Sequence, residues 1–142
     1  MTLYAETSAV LRWLFAERDG DAILEQLRAA DKVVCSRLTG IEARRVIRRA
    51  VREGRITEVE AAGLRAQLAL AAARWAVLEV TRDVAARAEE AFPSEPIRTL
   101  DALHLASALE LRQSLPDLVV LSTDARVRAN AAQLGLVVLP DE

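Results

Sequence analysis

Five short apolar runs, separated by longer stretches of helical pattern, constrain this chain more than any other feature. They are Thr2–Ala5, Val33–Cys35, Ala76–Val80, Leu118–Leu121 and Leu136–Leu139. Such runs read as strands too apolar to face solvent, so both faces of the sheet are covered. Helices between successive strands make crossovers, and crossovers make a parallel sheet. The expected fold class is α/β, with a central parallel sheet flanked by helices on both faces. The 142 residues suit one domain, spanning residues 1–142 without linker or repeat. Hydrophobic residues make up 52% of the chain and aromatics only 4%, so the core is built from Ala, Leu and Val.

The helices are legible from their boundaries. Thr7 or Ser8 is expected to cap a helix reaching about Glu17, and Asp19-Gly20-Asp21 to form a turn before a helix over Ala22–Ala30. Ser36 caps a long helix ending near Gly54. Thr57 with Glu60 three residues on is a capping box opening a helix to about Ala73, which pairs with its predecessor as a hairpin. Further helices follow over Arg82–Phe92, Thr99–Gln113 and Asp124–Leu134, with a loop at Pro93–Pro96. The Thr99–Gln113 helix is apolar nearly all round and is expected to be buried.

Composition removes several chemistries. One cysteine, Cys35, cannot close an internal disulfide and reads as a small buried hydrophobe. With one histidine, His104, zinc sites built from His and Cys are excluded, so any hydrolysis leans on carboxylates. His104 reads as a packed side chain bonded to backbone or to Asp101. Trp13 and Trp75 read as core. The longest apolar run, Leu68–Ala73, is far short of a membrane span, and the N-terminus has no signal-peptide pattern. A cytoplasmic protein is the expectation.

Four acids stand out: Glu6, Glu42, Asp101 and Asp124. Glu6 follows the first strand and Asp124 the fourth, while Glu42 and Asp101 fall early in their helices. Singly, each is explained as a helix-start acid, a cap, or half of an ion pair. Together they converge on the carboxyl edge of one sheet, where ligands of open α/β sheets bind. Carboxylates gathered there repel one another unless a cation lies between them. Hard oxygen donors suit Mg²⁺ or Mn²⁺, which lower the pKa of water and offset charge on a phosphate. Thr7, Ser8 and Thr123 stand ready to bond such a site, or simply to cap. Residues 36–55 carry seven Arg and two Glu in a chain of net charge −2. Arg45 and Arg49 share a helix face with Glu42, and Arg44, Arg48 and Arg52 form the adjacent row. Arginine forks match phosphate oxygens; the alternative is a solvated face that pairs with acidic neighbours or an acidic partner.

At these residues the chain resembles the PIN-domain family, and most of all its VapC-type toxins. Leu3-Tyr-Ala-Glu-Thr-Ser-Ala-Val-Leu11 resembles the family's opening strand and first acid. Ser36-Arg-Leu-Thr-Gly-Ile-Glu-Ala-Arg-Arg45 resembles its second-acid helix. Leu100-Asp-Ala-Leu-His-Leu-Ala-Ser-Ala-Leu109 is the most specific segment, and Leu121-Ser-Thr-Asp-Ala-Arg-Val127 resembles the last-acid segment. The resemblance covers essentially the whole chain. It implies a PIN-like three-layer α/β/α fold and an Mg²⁺- or Mn²⁺-dependent endoribonuclease. It also implies a homodimer silenced by a cognate antitoxin protein. On the matching positions it makes Glu6, Glu42, Asp101 and Asp124 the metal-site acids. Asp101 and Glu6 would hold the principal metal, a metal-activated water would attack an RNA phosphodiester, and Arg45 and Arg49 would orient the RNA backbone.

One position departs from that pattern: the family's first acid is usually Asp, and here it is Glu6. The extra methylene moves the carboxylate outward, against the tight octahedral demand of Mg²⁺. Direct binding, binding through water, a preference for Mn²⁺ and a weakened enzyme all stay open. A catalytically weak or inactive module that binds RNA or a partner is the alternative function. A phospho-signalling receiver or an aspartyl-nucleophile phosphohydrolase would want paired acids after the first strand, where Thr7 and Ser8 stand.

Overall fold

The computed structural model describes residues 1–141. Its five strands are β1 (Thr2–Ala5), β2 (Lys32–Ser36), β3 (Ala76–Leu78), β4 (Leu118–Leu121) and β5 (Val137–Leu139). All neighbouring strands pair in parallel, in the order β3-β2-β1-β4-β5. Seven helices connect them: α1 (Thr7–Leu14), α2 (Gly20–Ala29), α3 (Arg37–Arg52), α4 (Glu58–Ala72), α5 (Arg82–Ala88), α6 (Thr99–Ser114) and α7 (Ala125–Gln133). No helix among the described residues is long and apolar enough to cross a membrane.

Strand alternation separates two cores. Leu3, Ala5, Val33, Cys35, Val119 and Leu121 face one side, where Val10, Ile23, Ala43 and Leu68 bring in α1 to α4. Tyr4, Val34, Leu118 and Val120 face the other, against Leu105 of α6 and Val127 and Ala131 of α7. The outcome is the expected three-layer sandwich. The expectation that every strand is buried fails at both edges. Ala76 and Val77 of β3 are exposed, because β3 pairs only with β2. Val137 of the other edge strand, β5, is exposed as well.

The strand order reverses beside β1. The chain lays β2 and β3 on one side of it, then crosses to place β4 and β5 on the other. Such a reversal parts the loops that leave adjacent strands and opens a crevice outside their carboxyl ends. Glu6 leaves β1 at that point, and its backbone N–H donates to Leu121 O at the end of β4, at 3.0 Å.

Several local expectations change. The cap of α1 is Glu6 and not Thr7 or Ser8: its carboxylate reaches the Ser8 N–H. This helix ends at Leu14, short of Glu17, and the turn after it uses Ala16 (φ 49°) and Asp19 (φ 63°) as its left-handed residues. Gly20 serves close approach instead, since a Cβ there would sit 2.6 Å from Arg12 O. Helix α5 stops at Ala88, short of Phe92, whose ring turns into the second core. Glu42 falls in the second turn of α3, which aims it at α1 and α6.

The Thr57–Glu60 capping box is present in both directions at 3.1 Å. Thr57→Ala is therefore expected to lower stability by about 1 kcal/mol, read by denaturant melting, with the site unaffected. Cys35 is buried, and that burial pushes its thiol up to about 11. Its reaction with a thiol reagent at pH 8 is expected to be roughly a hundredfold slower in the native chain than in urea.

Candidate active site

Each acid is delivered by a different element: Glu6 by the end of β1, Glu42 by α3, Asp101 by the first turn of α6 and Asp124 by the cap of α7. Glu6 and Asp124 belong to one hydrogen-bonded group and Glu42 to another, and Asp101 feels the charge of both Asp124 and Glu42.

The first group is built on Glu6, only 4% exposed. Its Oε2 accepts from Ser8 N at 3.1 Å, from Ser122 Oγ at 2.8 Å and from the Ser8 hydroxyl. A serine hydroxyl has one proton to give and lone pairs to receive. With both protons committed to Glu6, the oxygens accept from the next segment. Ser8 Oγ takes Thr123 N (2.9 Å) and Asp124 N (3.1 Å), and Ser122 Oγ takes Asp124 N (3.1 Å). The carboxylate thereby orients two hydroxyls that pin the start of α7. Asp124 in turn caps α7, its Oδ1 accepting from Arg126 N and Val127 N at 2.9 Å. Burial raises the pKa of Glu6, against the pull of His104 and of the bonds from Ser8 and Ser122.

The second group is built on His104, which is buried. Its Nδ1 lies 2.7 Å from Tyr4 Oη, and its Nε2 lies 2.5 Å from Glu42 Oε1 and 3.2 Å from Thr7 Oγ1. Burial, and the charge of Glu6 after it, hold the Tyr4 phenol protonated. Nε2, facing a carboxylate, donates to Glu42, and the phenol donates to Nδ1 when the ring is neutral. Thr7 Oγ1 donates to the same carboxylate oxygen at 2.8 Å. Burial alone would raise the Glu42 pKa, but the His104 hydrogen bond and charge, with the Thr7 bond, outweigh it and the pKa is lowered. His104 thus bonds to Tyr4, Thr7 and Glu42, not to backbone or Asp101: one turn of α6 past Asp101 points its ring inward toward β1.

Asp101 is half-buried, and its side chain has no hydrogen bond or ion pair among the described residues. Its pKa is raised, first by burial and then by the charge of Asp124, with Glu42 adding to it and Arg98 and His104 opposing. The part of that rise that comes from Asp124 and Glu42 is what a nearby cation would offset. The donors are all hard oxygens, which fits Mg²⁺ or Mn²⁺ in chemistry. Among the described residues, though, no three Asp, Glu, His or Cys side chains stand grouped as a ready cage.

The arginines of α3 are exposed, and Arg45, Arg48, Arg49 and Arg52 have no ion pair among the described residues. The alternative of a face neutralised by acidic neighbours within the chain is not what the structure contains. Tyr4 and Ser122 are the residues that sequence reasoning missed. The signals were present: a sole tyrosine inside a buried strand needs a partner for its hydroxyl, and Ser122 stands between a strand end and an acid.

A profile of the PIN domain matches residues 3–133. Ribonuclease VapC35 of Mycobacterium tuberculosis is 31% identical over 139 residues, which is 96% of this chain and 95% of that protein. VapC20 of the same organism, described as a sarcin–ricin loop cleaving toxin, superposes with a TM-score of 0.65 at 16% identity, covering 89% of this chain and 93% of its own. A toxin–antitoxin complex from Klebsiella pneumoniae contains a chain that superposes with a TM-score of 0.63 at 19% identity, covering 100% of this chain and 99% of its own. At those identities the two structures speak for the fold.

Proposed function

The chain belongs to the PIN-domain family, and on that premise we propose that it is a metal-dependent endoribonuclease, the toxin of a toxin–antitoxin pair. The observation that carries the reading is Asp101: a carboxylate without hydrogen bond or ion pair among the described residues, its pKa raised by burial first and then by Asp124 and Glu42, near the switch point of the sheet. Asp101, Asp124 and Glu42 would hold Mg²⁺ or Mn²⁺, with Glu6 contributing through Oε1, the oxygen its serines leave without a bond. When bound, the ion supplies a lowered water pKa and offsets charge on the phosphate.

The chain's own residues do the rest. His104 and Thr7 keep Glu42 ionised and fix its rotamer. Ser8 and Ser122 fix the cap from which Asp124 projects. Arg45 and Arg49 bind the backbone of RNA beside the cut, a contact that positions without reading sequence. The partners implied are RNA, a cognate antitoxin and a second copy of the chain; a solved relative that is itself a toxin–antitoxin complex supports the second of these.

A PIN domain that binds RNA without cutting it is the second reading. The saturation of Glu6 Oε2 by Ser8 and Ser122 favours it. Incubating the purified chain with total RNA in Mg²⁺, in Mn²⁺ and in chelator, then mapping new 5′ ends, separates the two. Discrete cuts with metal alone are the expected result. Intact RNA under all three conditions, with RNA retained by the protein, would establish the binding module instead.

A further inference from the structure

A small pocket of about 250 Å³ lies along α1 beside the acids. Leu11, Phe15 and Val46 form its apolar walls and Arg12 and Arg55 its cationic ones. Its volume falls below the roughly 300–1,000 Å³ of sites for drug-sized ligands, the scale of a single ring system. The Arg55 guanidinium stands over the Phe15 ring, 6.0 Å from its centroid. Glu17 also lines the pocket and lies 3.9 Å from Arg12 Nε, so Arg12 is partly neutralised. Arg55 is exposed and forms no ion pair among the described residues.

Ser8 and Thr123 close one end of the pocket. These are the residues whose Oγ and N–H join Glu6 to Asp124. The pocket therefore shares Ser8 and Thr123 with the network that joins Glu6 to Asp124, and α1 runs from that end through Arg12 to Phe15. On its other wall Val46 lies one turn from Arg49, which carries the unpaired arginine face up to the rim. An aromatic face with an unpaired guanidinium above it, continuous with an arginine row and ending at an acidic crevice, is the arrangement that holds a single-stranded nucleotide. The ring stacks on the base, the cation sits over the π system, and neighbouring arginines take the phosphates.

We propose that this pocket is a base subsite: it accepts one unpaired nucleobase next to the phosphate to be cut, stacked on Phe15 as the Arg55 guanidinium, now 6.0 Å from the ring centroid, swings off the ring toward the phosphate. The proposal rests on the ribonuclease reading for the word "cut" and on the pocket alone for the binding. Its consequence is that the RNA target must be single-stranded at that step, since a paired base cannot enter. An acidic peptide is the competing occupant; the apolar walls of Leu11, Phe15 and Val46 favour the base, since a carboxylate gains nothing from them.

The test uses fluorescent single-stranded RNA oligonucleotides bound in chelator, so that affinity is read without cleavage, followed by cleavage in Mn²⁺. An abasic nucleotide is moved along the oligonucleotide, with wild type, Arg55→Gln and Phe15→Leu compared. One abasic position is expected to weaken wild-type binding about tenfold, the scale of one stacked base. That penalty is expected to shrink to about twofold or less in Phe15→Leu, and Arg55→Gln is expected to raise KM without lowering kcat. Wild-type cleavage with no position-dependent penalty, or a penalty unchanged in both variants, would overturn the subsite and leave the ribonuclease reading intact. The penalty and its loss, without any cleavage, would keep the subsite and defeat that reading. Binding of a Glu-rich peptide in place of RNA would overturn the subsite.

Discussion

Asparagine in place of Asp101 is expected to cut RNA cleavage by about a thousandfold or more while leaving the chain folded and still able to bind RNA. The size follows from what the substitution removes: an anionic oxygen ligand at a place where charge stabilisation of the phosphate is worth several kcal/mol. The side chain makes no hydrogen bond or ion pair within the described residues, so no neighbour is orphaned by the change. Its raised pKa sets the sign of a second effect. Folding buries the carboxylate and brings it close to Asp124 and Glu42, by more than Arg98 and His104 offset, so neutral asparagine relieves that cost in the metal-free protein. The melting temperature in chelator is expected to rise by about 1–3 °C, the scale of a fraction of a kcal/mol in a domain of this size. The stabilisation that added Mn²⁺ gives wild type is expected to disappear. A variant that is inactive because it is unfolded would show the opposite melting shift.

Ser8→Ala is expected to cost about 2–4 kcal/mol, the largest stability loss from any single hydroxyl of this chain. The methyl removes the proton given to Glu6 and the acceptor of Thr123 N and Asp124 N in one step. A buried carboxylate loses a donor and a buried N–H loses its partner, each of which carries a desolvation cost. Ser122→Ala removes one donor and shares the Asp124 N–H with Ser8, so about 1–2 kcal/mol is expected there. The two share one oxygen of Glu6, so their effects should not add; a coupling of about 1 kcal/mol is expected from a double-mutant cycle.

The pH dependence follows from Glu6, whose pKa is raised above its ordinary 4.5 in the folded chain. Folding favours its protonated form, so its contribution to stability is complete below pH 4.5 and is lost as pH rises through the folded value. With a donor gone the ionised form suffers more, and the Ser8→Ala deficit is expected to shrink as pH is lowered toward 4.5. A deficit below about 0.5 kcal/mol at pH 7 would mean that the serine network does not hold Glu6.

The parallel sheet and its two helical layers were legible because periodicity survives packing. Thr2–Ala5 and Leu118–Leu121 stand where the apolar runs put them, and Ser36 and Thr57 cap where their side chains predicted. The ends of α1 and α5 were not legible. The first is set by how closely Gly20 packs on Arg12 O, and the second by Phe92 turning into the core. At the site, sequence order alone pointed to four acids; the fold joins Glu6 to Asp124 through Ser8 and Ser122 and Glu42 to His104, from elements far apart in sequence. What it could not show is which side chain each acid would bond. Tyr4 stands 100 residues before His104 and reaches it only because β1 lies beneath α6. The extra methylene of Glu6 is likewise explained only in three dimensions, where it brings Oε2 to Ser122 on the adjacent strand's end.

The central claim is that these carboxylates act by holding a divalent ion. Counting Mn²⁺ bound per chain by electron paramagnetic resonance, in wild type and in Asp101→Asn, tests it most directly when RNA cleavage is read in the same samples. The account predicts saturable Mn²⁺ binding in wild type that rises in step with cleavage, and loss of both in Asp101→Asn. Cleavage that persists in chelator, or Mn²⁺ binding unchanged by Asp101→Asn, would contradict it.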